Sequence, residues 1–200
     1  MTLYLVRHGR AATGVDPLDP GLDALGHEQA AVTARALSRI NAGRLVVSPL
    51  RRTRETAEPI AAALGLPPEI RDEVAEVFDP SMPLDERRTM IGPFMAGAWG
   101  EQNEHLRAWR QRVVDTLLEL GLAAVAANRD LVVVSHYIAI GVAIGEATGD
   151  DRVVPVPMAN ASITTLTVAP GKLTLLEAAS TAHLAPDQIT GIHTAIGGRG

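Results

Sequence analysis

The 200-residue chain has no cysteine, which excludes disulfides, thiolate metal sites and a cysteine nucleophile. No stretch approaches the roughly 18 consecutive apolar residues of a membrane span. Basic charge is also scarce: 18 Lys and Arg stand against 23 Asp and Glu, for a formal net charge of −5. With those cations scattered apart from one local cluster, neither nucleic acid nor an anionic membrane is expected as a partner. The N-terminus enters a strand at once, without the basic region, apolar core and cleavage site of a secretory signal, so the expectation is a soluble, cytoplasmic protein. There is no internal repeat and no low-complexity linker. What is present is 46% apolar and 20% charged residues, enough for one sizeable core, and a single domain over residues 1–200 is expected.

Leu3 to Val6 is a short, wholly apolar run of the kind that suits a parallel sheet covered on both faces. A turn-rich loop, TGVDPLDPG, leads to a predicted helix from about Ala24 to Ile40, with Asp23 as its N-cap. RLVVS is a second apolar strand, and PLRRTRETAEPIAAALG a helix opening near Pro49 and closing at Gly65. This alternation produces right-handed crossovers and a parallel sheet. Between about Pro67 and Gly100 the pattern dissolves into proline, glycine and methionine, and a lid or insertion is expected there, about residues 77–100. A long helix follows from about Gln102 to Ala127, with Leu106, Trp109, Val113 and Leu117 on one face. DLVVVSH is the third clear strand, YIAIGVAIGEATG its following helix, and ASITTLTVAPGKLTLLEAA a closing hairpin. The tail from about Ser180 has no period and is expected to be irregular. The fold class is therefore α/β, a three-layer α/β/α sandwich on a mostly parallel sheet.

Each of the three apolar strands ends in polar residues: Arg7 and His8, then Pro49 to Arg52, then Ser135 and His136. In open parallel sheets the ligand crevice lies outside the carboxyl ends of the strands, so these residues converge. Two histidines and two arginines in one crevice, without a metal-binding motif, suit a dianion such as phosphate. Arginine's planar fork matches phosphate oxygens, and the helix opening near Pro49 is expected to add backbone N–H groups. Flanking cations bias His8 towards its neutral form, the only form with a lone pair able to attack phosphorus.

With these residues in place, the sequence resembles the histidine phosphatase superfamily, the group that includes phosphoglycerate mutases and many small phosphatases. LVRHG matches its signature at Arg7, His8 and Gly9, SPLRRTRETA its second block at Arg52, and VVVSH its third at His136. DPGLDALGHEQA is similar to the segment after the first block, and MANASITTL to the late strand. The resemblance implies that His8 becomes a phosphohistidine, that Arg7, Arg52 and His136 clamp the phosphate, with Gly9 and Tyr137 beside them, and that a carboxylic acid protonates the leaving oxygen. Glu76, in VAEVF, is the first candidate for that acid; Glu73 and then Asp79 are the alternatives. Such an acid must keep its proton near neutral pH, so it should be desolvated or near the substrate's charge.

Two departures from the family pattern bear on the substrate. Arg10 and Gly14 stand where many members carry an acidic or amide residue and an asparagine, and Arg10 is a candidate contact for a second anionic group. The modest insertion after Glu76 favours hydrolysis over mutase chemistry. The expected enzyme is thus a metal- and cofactor-independent phosphomonoesterase acting on a small phosphorylated substrate, as a monomer or homodimer. A mutase-type isomerase and a non-catalytic phosphate-binding protein are its rivals. Ser48 and Ser135 lack the glycine-flanked elbow of serine hydrolases. The glycines of GVAIG and AIGGRG do not make nucleotide loops. Arg51, Arg54, His27 and His105 read as surface residues, and the spacing of His183 and His193 is no metal signature.

Overall fold

In a computed structural model, residues 1–13, 18–78 and 82–192 are described, apart from the side chains of Leu84, Arg87 and Arg88. Gly14, Asp79 and His193 lie outside the described residues. The apolar runs form strands β1 (Leu3–Arg7), β2 (Ala42–Val47) and β4 (Asp130–Ser135), and the late hairpin forms β5 (Ile163–Ala169) and β6 (Lys172–Ser180). With a short β3 (Pro68–Ile70) they build one six-stranded sheet in the order β3-β2-β4-β1-β5-β6. The first four strands are mutually parallel; β5 and β6 run antiparallel at the other edge.

Alternation along the strands explains the two covered faces. Leu3, Leu5, Leu131 and Val133 point to one side, where they meet α4 (Glu104–Ala126) and α5 (Tyr137–Thr148). Val6, Leu45, Val47, Val132 and Val134 point to the other, against α1 (Ala24–Leu37) and α2 (Arg51–Leu64). Each such buried aliphatic side chain contributes about 1.5–3 kcal/mol, so the three layers are held mainly by these two seams. Local signals set the helix ends. The Asp23 carboxylate accepts from Gly26 N at 2.8 Å and the Asn103 amide oxygen from Leu106 N at 3.0 Å, while Gly65 closes α2 in the left-handed conformation (φ 64°).

The segment 67–100 is more regular than its composition predicts. β3 pairs in parallel with β2, and α3 (Leu84–Ala96) follows. A three-residue edge strand beginning with proline carries almost no period, and Gly92 and Pro93 argue against a helix that tertiary packing nevertheless holds. That packing is aromatic: the Phe94 ring lies 5.2 Å from Phe78 and 5.6 Å from Trp99. Between β6 and Ile192 the described residues are irregular except for a 3₁₀ turn at Pro186–Gln188. Among the described residues, no helix is long and apolar enough to cross a membrane.

Candidate active site

The parallel register brings the three strand ends level. Arg7 pairs with Ser135 across β1 and β4, Val47 pairs with Val134 across β2 and β4, and His8 N donates to Ser135 O at 3.0 Å. The loop of MANASITTL holds the signature from the other side: Ala161 N donates to His8 O at 3.1 Å and Arg7 N to Ser162 O at 3.0 Å. Ala161 adopts φ 56° to do so, a left-handed geometry that a non-glycine residue keeps only under tertiary constraint. Gly9 is required by contact: a Cβ there would sit 2.6 Å from the carbonyl oxygen of Gly26 on α1. Its N–H donates to Thr56 Oγ1 at 3.0 Å.

These anchors fix the protonation of both histidines. His8 Nδ1 lies 2.7 Å from Gly9 O. A carbonyl only accepts, so Nδ1 carries the hydrogen and Nε2 keeps its lone pair. His136 is the mirror case. Arg52 Nη2 lies 3.2 Å from its Nδ1 and can only donate, so Nδ1 accepts, and Nε2–H donates to Ser48 Oγ at 2.7 Å. The two imidazole rings stand 5.3 Å apart. Burial first, then the Arg52 and Arg7 charges, hold the His8 pKa well below the ordinary imidazole range, and burial and Arg52 do the same for His136.

Arg7 is buried, and burial lowers its pKa to about 10, which leaves it charged. Its Nη1 donates to Met158 O and, at 2.8 Å, to Gly191 O. The guanidinium carbon lies 4.7 Å above the Tyr137 ring centroid, a cation–π contact, and Nε has no hydrogen-bond partner among the described residues. An orphaned donor on a buried cation is the chemistry of an anion site.

Glu76 joins the same cavity of about 200 Å³, with Arg7, His8, Arg52 and Tyr137. Its carboxyl accepts from Val77 N at 2.9 Å and from the backbone of Ile138, the second residue of α5. Burial outweighs these bonds and the nearby arginines and raises its pKa. Glu73, by contrast, pairs with Arg71 at 3.2 Å, and hydrogen bonding to its own backbone and to Arg71 lowers its pKa, so it is unsuited to hold a proton.

Not every expected contact falls on the cavity. His136 is fully buried behind it, with both ring nitrogens engaged, and is not a lining residue. Arg10 turns away: its Nε meets Asp23 Oδ2 at 2.6 Å and its backbone N–H is held by Gln29 Oε1 at 2.8 Å. The opening of α2 is also taken, since Arg51 N donates to the Asp19 carboxylate at 3.0 and 3.1 Å rather than standing open to an anion. Conversely, three contributors escaped the sequence reading. Ser48 fixes the His136 tautomer and sits at a strand end, where the same rule that found Arg52 would have found it. Gly191 reaches Arg7 from 184 positions away, and the buried Gln29 ties Arg10 N to the tail through Gln188 O (2.6 Å) and Thr190 Oγ1 (3.0 Å). No local signal marks either. Among the described residues, no group of three or more His, Asp or Glu side chains is placed to hold a metal ion.

Comparison with curated proteins gave no match. Among solved structures, YhfR of Bacillus stearothermophilus is similar at 19% identity and a TM-score of 0.73, over 91% of this chain and 98% of that one. A phosphoserine phosphatase variant from Entamoeba histolytica, in complex with phosphoserine, gives 22% and 0.72 over 92% and 99%. A phosphoglycerate mutase from Bacillus anthracis gives 18% and 0.68 over 92% and 94%. At these identities the likeness is one of fold. The sequence profile of the histidine phosphatase superfamily (branch 1) matches residues 3–181, from the first residue of β1 to just past the end of β6. With the signature histidine, both arginines and the second histidine gathered around one cavity inside that span, the chain belongs to the histidine phosphatase superfamily.

Proposed function

We propose that the protein hydrolyses phosphomonoesters through a phosphohistidine on His8, with no metal or other cofactor. The observation that carries this reading is the His8 Nδ1–Gly9 O bond. It leaves Nε2 as an unprotonated nucleophile in a cavity that also holds two guanidiniums and a carboxyl of raised pKa. Nε2 forms the P–N bond as the P–O bond to the leaving alcohol breaks, and the Glu76 carboxyl gives its proton to that oxygen. The Glu76 carboxylate then takes a proton from water, whose oxygen attacks phosphorus. The P–N bond breaks back onto Nε2, inorganic phosphate leaves, and Glu76 is again an acid. Arg7 and Arg52 neutralise the phosphoryl oxygens throughout. His136, held by Ser48, positions Arg52 from behind the cavity.

Replacing His8 with alanine is expected to reduce turnover by on the order of 10⁴-fold or more with the fold retained. In the native protein, brief reaction with a ³²P-labelled ester should trap acid-labile label that the variant does not form. Full activity in the variant refutes the mechanism. Label returned to substrate instead of released as phosphate identifies the mutase alternative.

A further inference from the structure

The cavity lining combines charged and apolar side chains, and the apolar ones bear on the leaving group. They include Leu50, Val77, Phe78, Ile91, Met95 and Ile138. Leu18 and Ile91 stand 44% and 38% exposed, so apolar side chains also meet the solvent at the site. The charged residues among the described lining are Arg7, Arg52 and Glu76, and the proposed chemistry uses all three. Neighbouring cations are drawn off by carboxylates: Arg10 meets Asp23 at 2.6 Å, Arg51 meets Glu55 at 2.6 Å, and Arg71 meets Glu73 at 3.2 Å. None of the three lines the cavity.

A leaving group bearing a carboxylate or several hydroxyls would lose its water against these apolar side chains without gaining partners from them. An apolar leaving group instead gains by the surface it buries there. The cavity is also small, about 200 Å³ against the roughly 300 Å³ at the low end of ordinary ligand sites, which favours a single ring or short chain. Resting on the hydrolase reading, we infer that the physiological substrate is the monophosphate ester of a small apolar alcohol, rather than a phosphorylated sugar, hydroxy acid or amino acid.

The test compares esters matched in size and in leaving-group class. Cyclohexylmethyl phosphate and glucose 6-phosphate are both primary esters carrying a six-membered ring, and differ chiefly in hydroxyls. With the full chain, kcat/KM is expected to favour the cyclohexylmethyl ester on the order of 100-fold, with phosphoserine and 3-phosphoglycerate at least as poor as the sugar. Ile91→Arg, at a partly exposed position of α3, should narrow the gap to 3-phosphoglycerate by supplying a cation. Equal or reversed preference, with phosphate released, overturns the apolar assignment and leaves the hydrolase reading standing. No turnover of any of these esters or of p-nitrophenyl phosphate, and no labelled His8, overturns both.

Discussion

At the catalytic end of the cavity, the reactive side chains are tied to backbone. His8 is fixed by Gly9 O, Arg7 by two carbonyls, and Glu76 by the N–H groups of Val77 and Ile138. A second group of lining residues, Ile91 and Met95, comes from α3, a helix that carries Gly92 and Pro93 and whose Phe94 packs on Phe78 and Trp99. The first end stands on strands whose register allows no slip, because a shift of one residue would turn Val6 and Val134 from one face of the sheet to the other. The second group is held in part by the aromatic packing of Phe94. On the proposed reading, chemistry that needs tight geometry sits where hydrogen bonding over-determines position, and leaving-group selectivity sits where a side chain can change without moving His8.

Breaking the catalytic end at Glu76 should give the largest effect of the substitutions below. Glu76→Gln keeps shape and removes the proton, so kcat is expected to fall about 10²- to 10⁴-fold for alkyl esters. The loss should be much less for p-nitrophenyl phosphate, whose leaving oxygen needs no proton. The pH profile sharpens the same point. Burial raises the Glu76 pKa, so native activity declines only as pH rises through that raised value. Burial and the arginines depress the His8 pKa, so its lone pair persists as pH falls below the ordinary imidazole range of about 6.5. Activity should therefore persist below the ordinary imidazole range, and Glu76→Gln should lose the alkaline limb. Stability follows the signs of the same shifts. The depressed His8 and His136 give a contribution complete above about pH 6.5 and lost as pH falls towards their folded pKa values, whereas that of Glu76 is complete below its unfolded pKa and lost as pH rises through its folded one.

Ser48→Ala comes next. It leaves the buried His136 Nε2–H without its acceptor, a cost of about 1–3 kcal/mol, and frees the ring to turn from Arg52. Chemical denaturation should show that loss, and kcat should drop on the order of tenfold; Ser48→Thr, which keeps the hydroxyl, should recover most of it. An unchanged kcat with normal stability would mean that Ser48 does not position His136.

How far the sequence discloses this site follows from the same contrast. Arg7, His8, Arg52 and His136 are legible because each follows an apolar strand, and parallel strands present their carboxyl ends together. Glu76 is visible only through resemblance, since the chain around it has no period of its own. β3 and α3 are hidden for opposite reasons: the first is too short to show alternation, and the second carries helix-breaking residues that aromatic packing overrides. The Asp19 carboxylate at the start of α2 belongs to a loop whose residue types say turn but not where the turn lands. The described part of the tail delivers the Gly191 carbonyl to Arg7, a contact no local pattern announces.

That tail offers a smaller test. Gly191 has φ 71°, and a Cβ there would collide with the Asn160 amide oxygen. Gly191→Ala should displace the segment and remove one acceptor from Arg7 Nη1. A hydrogen bond to a charged group is worth about 1.5–3 kcal/mol, so inhibition by inorganic phosphate should weaken at least about tenfold.

Arg10→Ala should have the smallest effect, and it separates the signature's two arginines. Arg7 and Arg10 flank the same His8–Gly9 pair, yet one is buried under the site and the other pairs with Asp23 with 45% of its side chain exposed. A surface ion pair of this kind contributes about 0–1 kcal/mol, screened further by salt. Because the contact that holds the signature loop is Arg10 N–H to Gln29 Oε1, a backbone bond, alanine retains it. The variant should therefore match the native protein in kcat and in phosphate inhibition, and lose at most a small part of its stability. A KM increase confined to doubly anionic esters such as 3-phosphoglycerate would instead show that Arg10 leaves Asp23 to bind a second negative charge, and would move the boundary between the catalytic and the selective end of the cavity.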